Sequence, residues 1–537
     1  MIEAQRKRPD SYNLPGTVYL ISSDGMILSL PIPSESPHDP LTWSWKKRIL
    51  ALFAVAFYDF VSGVSSRASN VSIIGISLDF SEKDTLPFRV SHLGPAMQLF
   101  VAIGGILWAP LSLAIGRKSA LLIACVVRIL GVALIAYATD FSHVMAGICI
   151  TGLSHGFALT LGFLIIIDLT FIHQRPNGLA MVWGGVGTVA MIVVATIPYM
   201  NDHTEWRVFY RFWLIPCLAS LLVALFCFPE TYFKRPAIAF DGRIFLQSAT
   251  EKITFYVHQI DGETASLSSL NSNKDLPSIP FRSRVSTFFD SYGIRRAPGT
   301  SWAAMWRTYG QVLYCLMNPM IIWVILLMAV NWIGSVYVST ILAFSPPLDT
   351  TGFLPGFVAN ISAAVGLGLS WPAGGPLVWY IMKRLTKRNK GVREAEHYLV
   401  GFVIPVITGA IAVLIFGFAS KNHWRPGWSW FAYGLVTFSF GTFQINISLW
   451  VTESFPRWAT AALVAVYGGN LLVSFGASLE MVPWVKNFGV LEVAATIASL
   501  EIFLGLIVLP MAFWGKKARQ RLNGRWHDSR EGALRPQ

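Results

Sequence analysis

Twelve long apolar segments, six on each side of one polar stretch, constrain this chain more than any other feature. A helix needs about 20 mainly apolar residues to cross a bilayer. Segments of that kind are expected at 49–73, 92–115, 119–138, 142–168, 178–200 and 208–229. They resume at 319–343, 352–381, 398–418, 428–452, 458–482 and 490–515. Hydrophobic residues make up 54% of the 537, and only 13% are charged, against roughly 25% in soluble domains. A soluble fold could not hide that much apolar surface, so the class is an all-α membrane protein. The layout expected is a tail at 1–48, a six-helix bundle at 49–229, a central loop at 230–318, a second bundle at 319–515 and a tail at 516–537. The central loop contains the run Ser266-Leu267-Ser268-Ser269-Leu270-Asn271-Ser272-Asn273 and reads as a flexible, solvated linker. Residues 1–48 show no pattern of a cleavable signal, so the first span is expected to direct membrane insertion itself.

A net charge of +13 invites a nucleic-acid reading, but the cations form no single face. With the N-terminus inside, 33 of the 42 Lys and Arg residues fall in inner segments and only 7 in outer ones. Cytoplasmic loops carry such an excess, so both termini are expected in the cytoplasm, with no nucleic-acid partner. The five cysteines lie in or beside apolar segments without metal spacing and read as small buried hydrophobes. No metal or cofactor is expected. There is no Walker loop and no dinucleotide fingerprint in a soluble strand–helix context, so the chain is not expected to be an enzyme, and energy must come from a gradient.

Polar groups in a bundle face its interior or a wet cavity, because lipid cannot satisfy them. Polar or small stripes at helical spacing occur in span 1 (Asp59, Ser62, Ser66), span 4 (Thr151, Ser154, His155), span 7 (Asn331, Ser335, Ser339) and span 10 (Thr437, Gln444, Ser448, with Asn446 beside them). Spans 1, 4, 7 and 10 are expected to line a central path, with the nearly unbroken apolar spans 6 and 9 against lipid. Asp59, Arg128, His155 and Glu501 fall near mid-depth, where an ionisable group is costly and marks a functional site by default. The bland alternatives are an Asp59–Arg128 pair that only neutralises itself, a packing histidine at 155, and interhelical hydrogen bonding by Asn331, Gln444 and Asn446. For Glu501 a structural role is expected.

A short motif recurs. Ala109-Pro110-Leu111-Ser112-Leu113-Ala114-Ile115-Gly116-Arg117-Lys118 is echoed by Gly375-Pro376-Leu377-Val378-Trp379-Tyr380-Ile381-Met382-Lys383-Arg384. Each reads small-Pro-Leu, an apolar turn, then a basic pair. Together with Asp39-Pro40-Leu41-Thr42-Trp43, Trp206-Arg207, Pro229-Glu230-Thr231-Tyr232 and Arg388-Asn389-Lys390-Gly391-Val392-Arg393-Glu394-Ala395-Glu396-His397, it resembles the major facilitator superfamily, in its fungal drug:proton-antiporter-like branch. The resemblance covers about residues 39–520. It implies twelve transmembrane helices in two pseudo-symmetric six-helix bundles that rock about a central site. It also marks Gly116, Arg117, Lys118, Lys383 and Arg384 as gating-loop residues. Four departures stand out. The loop's usual Asp is Leu113 here, its second-half counterpart is Trp379, and a span-4 Arg is replaced by Ile148. The Gly-Pro pairs of the span-5 antiporter motif are missing from residues 183–190. The gate keeps its cations and lacks its usual acid.

The function expected is secondary export of a small amphipathic organic compound, a drug or secondary metabolite, across the plasma membrane. The protein is expected to work as a monomer coupled to protons, with the vacuolar membrane as the lesser choice of location. Asp59 is the candidate proton carrier, tuned by Arg128 or His155. The substrate would meet Ser62, Ser66, Thr151, Asn331, Ser335, Gln444 and Asn446. Import of a small nutrient or organic cation, and a non-transporting sensor, are the alternatives.

Overall fold

The computed structural model describes residues 39–200, 205–233, 300–344 and 354–523, with a few positions of the N-terminal tail and Ala297 besides. Among the described residues, twelve helices are long and apolar enough to cross a membrane. Spans 1 to 6 are Trp45–Ser69, Val90–Ile115, Arg117–Ala136, Phe141–Leu169, Arg175–Ile197 and Trp206–Cys227. Spans 7 to 12 are Pro319–Leu342, Gly356–Arg388, Ala395–Lys421, Pro426–Ser454, Ala459–Phe488 and Val490–Gly515. An even number of spans puts the start of span 1 and the end of span 12 on one face, called the inner face below after the orientation expected from the charge split.

Several spans outrun their apolar windows. Span 5 starts at Arg175, span 8 reaches Arg388 and span 10 reaches Ser454. The ends added to spans 5 and 10 carry Arg175 and Glu453, which pair inside the protein, whereas the end added to span 8 carries the exposed cations Arg384, Lys387 and Arg388. One helix was not expected at all. Trp302–Leu316 lies in the stretch read as linker and is amphipathic. Arg282, Arg284, Arg295 and Arg296 of the same stretch lie outside the described residues, as does most of both tails.

Spans 4 and 10 are the most enclosed, each with 83% of its apolar window buried, and spans 6 and 12 the least, at 33%. Span 6 therefore faces lipid as expected. Span 9 is more covered than expected, because it is packed against both span 10 and span 12, and span 12 takes the outer position in the second half. The halves meet along two helix pairs, spans 2 with 11 and 5 with 8. Small residues make the close approach available. A Cβ on Gly184 would lie 2.8 Å from the Cβ of Trp371 and 3.0 Å from the carbonyl oxygen of Leu367. One on Gly468 would meet Ile106 at 2.6 Å. A small antiparallel pair crosses the inner face, where β1 (Val18–Tyr19) of the N-terminal tail pairs with β2 (Val392–Arg393) between spans 8 and 9.

Candidate functional site: a central cavity and an inner gate

Three π-helical turns interrupt the spans at mid-molecule: Ala158–Gly162 in span 4, Met181–Val186 in span 5 and Ala373–Leu377 in span 8. Such turns re-aim side chains and cluster at functional sites. Here the first two bring Phe163 and Trp183 together, stacked at 5.6 Å between ring centroids. A small cavity opens there, lined by Tyr58, Asp59, Phe157, Phe163, Val182 and Trp183 among others. The aromatic row continues across the halves. Tyr467 of span 11 stacks on Phe163 at 5.3 Å, Phe440 of span 10 meets Trp183 edge-on at 5.9 Å, and Trp332 of span 7 meets Phe440 at 5.1 Å.

Asp59 forms no ion pair within 4 Å among the described residues. Arg128, its expected partner, is committed elsewhere. Its guanidinium donates to the Ser154 hydroxyl at 2.9 and 3.2 Å and to the Tyr58 carbonyl at 3.1 Å, and it lies 4.1 Å from the centroid of the Tyr58 ring. Tyr58 in turn donates to the Ser154 carbonyl at 2.7 Å. Arg128 is thus a buried bolt joining spans 1, 3 and 4. Ser62 and His155 Nδ1 are 2.6 Å apart, so the histidine does sit beside the Asp59 stripe. Arg67, two turns beyond Asp59 on the same helix, donates to the Gly63 carbonyl at 3.2 Å. Arg67 is not among the residues expected from the sequence, although its spacing of eight from Asp59 places it on the same face.

The second half carries its own buried carboxylate. Glu501 of span 12 accepts from Asn331 Nδ2 at 2.8 Å, and the same amide donates to the Ser439 hydroxyl at 2.9 Å. Ser439 donates onward to the Pro405 carbonyl at 2.7 Å. This ties spans 7, 9, 10 and 12 into one network, and it turns Asn331 toward the interior of its own half.

The inner face is closed by charge. Glu453, at the end of span 10, accepts from Arg175 of span 5 at 2.6 Å. It also accepts from Arg393 of the loop before span 9. Arg175 belongs to the first half, Glu453 and Arg393 to the second, and all three are buried. Arg393 also donates to the Tyr398 hydroxyl at 3.0 Å. Burial works against the Arg393 charge, but Glu453 and Tyr398 outweigh it and hold the guanidinium above its ordinary pKa. Removing one member of such a set leaves an uncompensated buried charge, a loss of about 3–5 kcal/mol. Two further contacts cross the halves nearby. Trp371 donates to Asn177 Oδ1 at 3.0 Å, and the His173 ring lies 6.2 Å from that of Trp379.

A model of the Major Facilitator Superfamily matches residues 52–479. The chain belongs to this superfamily. It is 22% identical to an uncharacterised MFS-type transporter of Schizosaccharomyces pombe, covering 95% of this chain and 94% of that one. It is also 22% identical to the protein HOL1 of Saccharomyces cerevisiae, over 93% and 91% of the two chains. Among solved structures it resembles the xylose transporter XylE of E. coli in a partially occluded inward-open conformation. The TM-score is 0.56 at 14% identity, covering 87% of this chain and 98% of that one. The human organic anion transporter MFSD10 gives a TM-score of 0.52 at 12% identity, with 86% and 99% covered.

The facilitator fold places the remaining expected residues as follows. In the turn between spans 2 and 3, Gly116 adopts φ +96°, and a Cβ there would lie 2.5 Å from Glu230 Oε2. Glu230 accepts the backbone N–H groups of Arg117 (3.0 Å) and Lys118 (3.1 Å), capping span 3 from the end of span 6. Arg117 pairs with Asp168 at 3.4 Å and donates to Ser112 at 2.6 Å, and Lys118 donates to the Leu225 carbonyl at 2.8 Å. The acid missing at Leu113 is therefore supplied by Asp168 and Glu230. Lys383 is half-buried and Arg384 exposed on the inner end of span 8, and Arg393 reaches Glu453 instead. Ser66 donates to Met97 Sδ at 3.5 Å, and Thr151 to the carbonyl of Ile148 in its own helix. Asn446 donates to the Gly401 and Thr442 carbonyls, so it bridges to the segment leading into span 9. Ser335 is half-buried. Gln444 is buried with Oε1 lacking a hydrogen-bond partner among the described residues, next to Tyr467, whose hydroxyl donates to the Gln444 carbonyl at 3.4 Å.

Proposed function

We propose that this facilitator exports a small amphipathic organic compound across the plasma membrane in exchange for protons, with both termini in the cytoplasm. Secondary transport follows from the family; direction, ligand and coupling are the proposal. The observation that carries it is the Asp59 carboxylate, without an ion pair among the described residues, at a small cavity among spans 1, 4 and 5 whose aromatic wall continues onto Tyr467 and Phe440 of the second half. Such walls suit a largely apolar ligand held by a few polar groups. A carboxylate free of a fixed cation can take up a proton on one side and release it on the other. His155, bonded to Ser62, and Arg67 are the polar neighbours along that path. The inner gate of Arg175, Glu453 and Arg393 would open and close access from the cytoplasm.

A second reading is uptake of a small organic cation, with Asp59 binding its charge and the aromatic row its face. Proteoliposomes under an imposed pH gradient separate the two. Export predicts proton-driven accumulation of lipophilic dyes in inside-out vesicles, lost in Asp59→Asn while substrate-driven exchange persists. Proton-driven accumulation that survives in Asp59→Asn would remove Asp59 from the coupling role. Accumulation confined to right-side-out vesicles would favour uptake.

A further inference from the structure

The helix at Trp302–Leu316 is 15 residues long, about 22 Å, too short to cross a bilayer. It lies at the inner face. Ser301 caps it by accepting the Ala304 N–H at 3.0 Å, and the Ser301 N–H donates to the Leu113 carbonyl at the end of span 2. Its far end passes through Met317 and Asn318 directly into span 7, where Asn318 Oδ1 accepts the Met320 N–H at 3.0 Å. One face is packed on spans 2 and 11 and is buried through Met305, Thr308, Val312 and Cys315. The opposite face is apolar and exposed. Trp302, Trp306 and Leu313 are 53%, 67% and 66% exposed, and their spacing of four and seven puts them on one stripe with the half-buried Tyr309.

A stripe of that size on a water-facing helix would be an aggregation liability. Two observations say what covers it. The stripe runs on into the lipid-facing side of span 7, where Ile322 and Leu326 are exposed. It is also flanked by interfacial aromatics, with Tyr314 and Trp458, at the start of span 11, 6.4 Å apart. Exposed Arg307 lies one position from Trp306, at the polar edge of the stripe, where a cation meets headgroups. A helix with an apolar aromatic face and a basic edge lies in the membrane interface.

We propose that the 302–316 helix is an interfacial anchor whose Trp302–Trp306–Leu313 stripe is occupied by lipid of the inner leaflet. Because the helix touches span 2 of the first half and span 11 of the second, lipid that holds it acts on both halves at once.

The test is nitroxide scanning of the full chain in phosphatidylcholine/phosphatidylserine nanodiscs. Single cysteines at 306, 313 and 307 are placed in a background lacking the five native cysteines. The ratio of oxygen to nickel-chelate accessibility is expected to be about tenfold higher at 306 and 313 than at 307. Equal, water-like ratios at all three positions would overturn the proposal. Low accessibility to both probes, with spin–spin broadening between molecules, would assign the face to a second copy and overturn it equally. Trp306→Leu, which keeps an apolar group, should leave yield and monodispersity unchanged. Trp306→Glu should weaken nanodisc insertion while helix content is retained; unchanged insertion of Trp306→Glu would also count against the anchor.

Discussion

The two copies of the small-Pro-Leu turn meet the same need by different means. In the first half, Arg117 and Lys118 are buried and held by Asp168, Ser112, Glu230 and the Leu225 carbonyl, all within their own half. In the second half, Lys383 is half-buried and Arg384 exposed, Trp379 packs toward His173 of the other half, and the buried cation is Arg393, ten positions beyond Lys383, the first of the motif's basic pair. The first turn is a fixed brace. In the proposed account, the second half carries the acid whose contact with Arg175 breaks when the inner face opens. A repeated motif therefore marks repeated architecture without marking repeated roles, and the gate's acid is Glu453, which belongs to neither copy.

That contrast can be broken at several points. The largest effect is expected from Glu453→Gln, which leaves Arg175 and Arg393 buried without a counter-charge. The inner-closed state should lose about 3–5 kcal/mol, read as faster alkylation of an inner-face cysteine by more than about a hundredfold. Next comes the difference between Arg175→Ala, which removes the cation that reaches Glu453 across the halves, and Arg384→Ala. The first should open the inner face nearly as far as Glu453→Gln, while the exposed second should change stability by less than about 0.5 kcal/mol. Equal effects would return the gate to the motif's basic pair. Glu230→Gln should lower thermal stability by about 1–3 kcal/mol, because two backbone N–H groups lose a charged acceptor, yet leave the inner/outer ratio unchanged. A shift in that ratio would make the first turn part of the gate.

The smallest expected effect is one of pH. Burial, and then Arg48, hold His173 below its ordinary pKa, which is about 6.5 in water. The closed state therefore binds fewer protons at this site than an opened state that exposes it. Its contribution to closure is present above the ordinary histidine value and is lost as pH falls through that value toward the depressed one. Mild acid should loosen the inner face slightly in the wild type and less in His173→Gln. Identical pH profiles of inner-face alkylation would remove His173 from the closure.

The number and order of spans were legible because bilayer thickness imposes length and hydropathy on each one. Asp59, Arg128 and His155 were legible as unusual because an ionisable group at mid-depth is costly. What Arg128 does was not, since its partners are a hydroxyl and a carbonyl that only tertiary packing brings near. Glu453 lies one residue beyond the apolar window expected for span 10, where an acid carries no signal of its own. Phe163, Trp183 and Tyr467 carry no signal in an apolar span, where an aromatic residue is unremarkable until π-helical turns aim it inward. The 302–316 helix did have a signal, the spacing of Trp302, Trp306, Tyr309 and Leu313, but it was hidden at the end of a polar stretch.

The account rests on Glu453 holding the two halves together at the inner face. Spin labels at Ser44→Cys in the first half and Lys387→Cys in the second, both exposed, report that separation by double electron–electron resonance in nanodiscs. A single short-distance population in the parent, joined or replaced by a longer one in Glu453→Gln, is the predicted result. An unchanged distance distribution in Glu453→Gln would contradict it.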